Sequence, residues 1–86
     1  MSRRLELREQ FGERPARTVA TASLLADGTV EITGEPTSVE FLADFRVHDA
    51  TADRWVTKEE NPELWFDQMP TLLATPHRWL EPSAGS

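Results

Sequence analysis

Two histidines carry most of the acid–base potential of this chain near neutral pH, and each sits among residues that have a chemical use. His48 lies close in sequence to Asp44, Asp49 and Asp53, the one grouping of metal-ligand residue types. An imidazole beside carboxylates could also work as an acid–base pair. Asp44 and His48 are four apart, but the helix around Asp44 is expected to end between them, and a turn dense in Asp has the composition of a solvated loop. No metal, no cofactor and no catalytic residue is therefore assigned there. His77 and Arg78 adjoin Trp79 near the C-terminus, and together could grip a carboxylate or phosphate. The competing reading is a surface turn whose Trp79 folds back onto the core.

Other chemistries are closed by composition. The chain has no cysteine, which excludes disulfides, thiolate catalysis, Cys-ligated zinc and iron–sulfur clusters. Its four glycines are isolated and form no phosphate-binding loop. Ser23, Ser38 and the threonines have turn, cap or strand explanations. No apolar run approaches the roughly 20 residues of a membrane span, and MSRRLELREQ has no apolar stretch after its arginines. A soluble cytoplasmic protein without membrane contact is expected.

Charge narrows the partners. The net charge is −6, yet Arg3, Arg4, Arg8, Arg14 and Arg17 outnumber Glu6, Glu9 and Glu13 at the start, so the acidic excess lies after residue 17. Nucleic-acid binding is disfavoured, because affinity for phosphates needs the reverse balance.

The elements that would position these residues follow from periodicity and punctuation. RLELREQF alternates Leu5, Leu7 and Phe11 with polar residues, which predicts a half-buried strand over 4–11, with a helix from Ser2 as the alternative. GERP then makes a turn. Residues 18–25 are β-branched-rich, Asp27-Gly28 suits a two-residue turn, and 29–33 alternate again, a hairpin pairing Leu25 with Val30. That register puts Val19, Thr21, Ser23 and Leu25 on the face of Val30 and Ile32. Thr37-Ser38-Val39-Glu40 fits a capping box, opening a short, well-buried helix to Phe45. Residues 46–56 read as two extended pieces around Val47 and Trp55-Val56, joined by a polar turn.

Thr57-Lys58-Glu59-Glu60 is a second capping box, and Asn61-Pro62 the favoured start of the main amphipathic helix. Trp65, Phe66, Met69, Leu72 and Leu73 share one arc of it, and Pro70 predicts a kink or break near Met69. Pro76 ends the element or restarts a single turn through His77, Arg78, Trp79 and Leu80. The expected fold is α+β: a small antiparallel sheet of two to four strands around the Asp27-Gly28 hairpin, covered on one face by two short helices, the second kinked at Pro70. Residues 1–81 form the single domain, with 1–3 open to fraying, and 82–86 a disordered tail.

The order DGTVEITG, short helix, RWVT and a helix ending in QMPTLLATPHRWL resembles a type of small bacterial protein, with a strand–DGTV–strand hairpin and a later proline/aromatic segment. The resemblance spans about residues 18–80, with Met69 where that pattern has Leu. It brings no activity with it. Three tryptophans are a large apolar payload for 86 residues, read first as core filling; if one of them is exposed, Trp79 is the choice. The leading expectation is a small acidic non-enzymatic protein-interaction module, a subunit, adaptor or accessory factor that could be a homo-oligomer. Trp65, Met69, Leu72 and Leu73 are expected to close the core, leaving Phe66, His77, Arg78 and Trp79 as partner-binding candidates. An acidic nucleic-acid-mimicking inhibitor or antitoxin is the alternative, and a small enzyme using His48 or His77 the third reading.

Overall fold

The computed structural model describes residues 3–83. The first alternating stretch is strand β1 (Arg3–Glu9), with Leu5 and Leu7 buried. It pairs antiparallel with β2 (Arg17–Leu24), which pairs antiparallel with β3 (Val30–Gly34). The hairpin is where Asp27-Gly28 predicts it, but its register differs by one residue: Leu24, not Leu25, lies opposite Val30. The loop is closed by the Leu25 N–H to the Thr29 carbonyl (2.8 Å) and the Gly28 N–H to the Leu25 carbonyl (3.0 Å). Gly28 has φ +88°, whereas Asp27 stays out of the left-handed region, so the two-residue turn that needs positive φ at both positions does not form. Asp27 instead accepts the Thr29 N–H at 2.9 Å.

One added loop residue exchanges the two faces of the hairpin. Ala20, Ala22 and Leu24 are buried in register with Gly34, Ile32 and Val30, while Leu25 is exposed. A bulge in the β1–β2 ladder between Leu7 and Arg8 leaves Val19 without a partner on β1, and Val19 is buried as well.

Helix α1 (Pro36–Ala43) begins one residue before the predicted capping box. Glu35 gives its N–H to the Val19 carbonyl and receives the Val39 N–H on its own carbonyl, at 3.0 and 2.9 Å. The end of β3 thereby sets the first turn, Pro36 takes the first helical position that suits it, and no side chain caps the helix. Only Ser38 and Leu42 of α1 are buried; Val39 and Phe41 are half-buried, so the helix lies across the rim of the core.

Strands β4 (Val47–Asp49) and β5 (Arg54–Val56) form a separate two-stranded ribbon, with Val47 opposite Val56 and both buried. Both helix-start signals after it operate. Thr57 and Glu60 exchange the reciprocal bonds of a capping box, at 3.1 and 3.2 Å, around one turn. Asn61 then caps α2 (Pro62–Leu72) by accepting the Leu64 N–H at 3.3 Å. Pro70 sits inside α2, which runs through it and ends two residues later. The stripe of α2 is centred on Met69: Trp65, Phe66, Met69 and Leu73 are buried, but Leu72, at the rim of that arc, is 51% exposed.

The predicted helical turn after Pro76 is instead strand β6 (Arg78–Pro82), antiparallel to β1. Leu80 lies opposite Leu7 and Pro82 opposite Leu5, and the Ser83 N–H reaches the Arg4 carbonyl at 3.1 Å. Pro82, read from sequence as the start of a tail, thus belongs to the sheet, and Ser83 is tied to it by that bond; 84–86 lie outside the described residues. The strand order is β3-β2-β1-β6. One face, carrying Leu5, Leu7, Ala20, Ala22, Leu24 and Leu80, joins α1, α2 and the β4–β5 ribbon in a single buried cluster. Small Ala20 and Ala22 share that cluster with bulky Trp65 and Phe66, the size alternation that fills a core without strain. The other face is polar and bears Glu6, Arg8, Thr21, Thr33, Trp79 and Glu81. Among the described residues no helix is long and apolar enough to cross a membrane.

Candidate functional site

At one end of the sheet the last residue of β1, the loop after it and the first residue of β6 converge. The Gln10 N–H donates to the His77 carbonyl at 2.9 Å, joining the two segments. β1 stops at Glu9, and Gly12 turns the chain at φ +62°. Phe11, read from the sequence as a third inward residue of the strand, therefore lands outside it and is 55% exposed.

The His77 ring stacks on Phe11, centroids 5.6 Å apart and planes 15° from parallel. His77 Nδ1 lies 3.2 Å from the Gln10 carbonyl. A carbonyl only accepts, so a hydrogen bond in this contact is donated by Nδ1–H.

Arg78 is held from two sides. Its guanidinium donates to Glu9 at 2.9 Å and lies over the Phe41 ring at 4.9 Å. The Glu9 carboxylate is only 11% exposed and also meets Arg17 at 3.6 Å, and Arg17 reaches Glu35 at 3.2 Å. Arg78 is the close partner of the mostly buried Glu9 and Arg17 a more distant, exposed one, so removing Arg78 would leave that carboxylate short of a hydrogen-bond donor. Arg14, on the loop, forms no ion pair among the described residues.

Phe11 divides two concavities. One, of about 360 Å³, is lined by Glu9, Phe11, Arg14, Pro15 and Arg17. The other, of about 260 Å³, is lined by Phe11, Phe41, Leu73, Thr75, His77 and Arg78. The Thr75 hydroxyl is committed to the backbone, donating to the Arg78 carbonyl at 2.8 Å and accepting the Arg78 N–H at 3.0 Å. The surface therefore offers an aromatic plate, an imidazole edge and guanidinium donors, a set suited to binding.

The four sequence candidates separate here. His77 and Arg78 do come together, although Arg78 is a structural anchor as much as a free donor. Phe66 is fully buried, under the Arg3 guanidinium at 5.6 Å and edge-on to Trp65, and is corrected from partner contact to core. Trp79 is half-buried on the open face of the sheet, its Nε1–H donating to Glu81 at 3.0 Å. The most exposed tryptophan is Trp55, at 62%. Val56 turns inward from the ribbon, so its neighbour Trp55 must turn outward.

At the other histidine, His48 Nε2 is 3.3 Å from Asp53 Oδ1 and its ring meets Trp55 edge-on at 5.3 Å. The Asp49 carboxylate accepts the N–H groups of Thr51 and Ala52, which accounts for it as a turn residue. Among the described residues no group of three or more His, Cys, Asp or Glu is placed to hold a metal ion.

Sequence reading missed Phe11, Phe41, Glu9, Arg14 and Arg17 as members of one surface. The GERP turn directly after Phe11 was the available signal, since a strand that stops before a turn leaves its last aromatic without a ladder to lie on. In comparisons with protein-family models, curated proteins and solved structures, nothing matches this chain.

Proposed function

We propose that this chain is a small non-enzymatic protein-interaction module, a subunit, adaptor or accessory factor, whose partner docks on the end of the sheet around Phe11 and His77. The observation that carries the reading is Phe11 itself, 55% exposed and stacked on the His77 imidazole. Leaving a phenylalanine half in water forgoes about 1 kcal/mol of burial, and exposed aromatics are the kind of side chain enriched at the centres of interfaces. The concavities on either side would take partner side chains, and the rim arginines would add charge-assisted hydrogen bonds to carboxylates or carbonyls. In this reading His77 and Arg78 would share in partner binding, as the sequence reading expected, with Phe11 added as the central contact.

The test is capture from a host lysate on immobilised wild-type chain and on Phe11→Ala, with quantitative mass spectrometry of the bound proteins. A partner enriched on the wild type and reduced at least about tenfold on the variant supports the reading. Equal recovery on both surfaces, with circular dichroism showing both folded, refutes it.

A further inference from the structure

The outer edge of β3 has a backbone pattern that complements itself. The Glu35–Val19 and Leu25–Thr29 bonds, at 3.0 and 2.8 Å, lie at the two ends of the β2–β3 ladder. Bonded and unbonded pairs alternate in an antiparallel ladder, so the Glu31–Ser23 and Thr33–Thr21 pairs are the bonded ones between them. The N–H and C=O groups of Val30, Ile32 and Gly34 therefore point away from β2. Among the described residues no strand lies beyond them. The opposite edge is different: along β6 the Thr75 N–H meets the Arg78 carbonyl and the Leu80 N–H meets the Leu73 carbonyl, at 2.9 and 3.3 Å, so residues 73–75 cover it.

We propose that the β3 edge is a self-association surface, pairing antiparallel with the same edge of a second copy about a twofold axis at Ile32. In that register Ile32 faces Ile32, and Val30 faces Gly34 of the second copy. Every outward N–H and C=O of these three residues then finds a partner, and two four-stranded sheets become one of eight. The side chains agree with the backbone. Val30 and Ile32 are half-buried against the core, so the pairing covers apolar surface left at its rim. Glu31 meets Thr33 of the second copy, not Glu31, so a chain with net charge −6 brings no like charges face to face along the seam. Gly34, at φ +138°, turns the chain out of the sheet and ends the seam. The surface lies apart from Phe11 and goes beyond the docking proposed above.

The experiment is the mass of the full chain by size exclusion with light scattering, loaded at about 100 µM, where a weak dimer still populates by mass action. The expected mass is twice the 9.7 kDa chain. Thr33→Glu would set carboxylates against Glu31 of the second copy and weaken the dimer at least about tenfold, and adding Glu31→Lys would restore it. Ile32→Pro removes an N–H that only the dimer uses, and proline is tolerated on an edge strand in that orientation. If that variant does not fold, the exposed Thr33 pair of variants still decides. A wild-type monomer at this concentration overturns the proposal, as does a dimer whose mass ignores both Thr33→Glu and its rescue.

Discussion

Replacing Gly34 by alanine should cost far more than the loss of one hydrogen atom suggests. Gly34 has φ +138°, a region that an L side chain enters at about 1–3 kcal/mol. An added Cβ would also sit 2.4 Å from the Val19 carbonyl oxygen and 2.6 Å from the Ala20 Cα. Both are backbone atoms of the adjoining strand, at the bulge, and cannot swing aside as a side-chain tip would. Relief by strand displacement adds about 1–3 kcal/mol of packing loss. The expected total is about 2–6 kcal/mol, a large part of the stability of a domain this small, or about 10–45 °C in melting temperature. Urea unfolding followed by the fluorescence of buried Trp65 would measure it. Gly28→Ala is the internal control: its φ is +88°, but nothing lies within 4 Å of the added Cβ, so only the backbone term of about 1 kcal/mol should appear. If the two variants lose stability equally, or Gly34→Ala loses less than about 1 kcal/mol, the close approach to Val19 is not what requires glycine.

Phe66→Ala should destabilise by about 3–5 kcal/mol in denaturant melts, because the ring is fully buried rather than offered to a partner. Trp55→Ser, on the outer side of the ribbon, should change stability by less than about 1 kcal/mol in the same assay. Asn61→Ala should cost about 1 kcal/mol by removing the acceptor for the Leu64 N–H, read in thermal melts. The Glu60 carboxyl is held below the usual carboxylate range, first by the Thr57 N–H and further by Arg54 and the Thr57 hydroxyl. A depressed folded value means that the capping interaction contributes fully above the ordinary carboxylate range and is lost as pH falls through the folded value. A carboxyl-detected NMR titration should show a low Glu60 midpoint that rises towards the ordinary value in Arg54→Ala.

Local chemistry made several elements legible. Asp27-Gly28 placed the hairpin and Asn61-Pro62 placed the start of α2, because turn and cap preferences act within a few residues. Alternation at Leu5 and Leu7 marked β1, and Val47 with Trp55-Val56 marked the ribbon. Its hairpin became definite only when Val47 and Val56 both found the core. At the candidate site His77 and Arg78 could be singled out by residue type. Their setting could not, since the Gln10 bond to His77 and the Glu9 bond to Arg78 join residues far apart in the chain.

What the amino-acid order determined by itself was the α+β class, the turn and cap positions and the lack of thiol chemistry, all local or compositional properties. The tertiary structure decided the register of the hairpin, where one extra loop residue exchanged its two faces. It also decided the fate of residues 78–82, which became a strand because β1 supplied an edge to pair with, something no local propensity encodes. The same long-range step set which aromatics meet water. Phe66 went in because α2 centred its stripe on Met69, and Phe11 stayed out because β1 ended before reaching it.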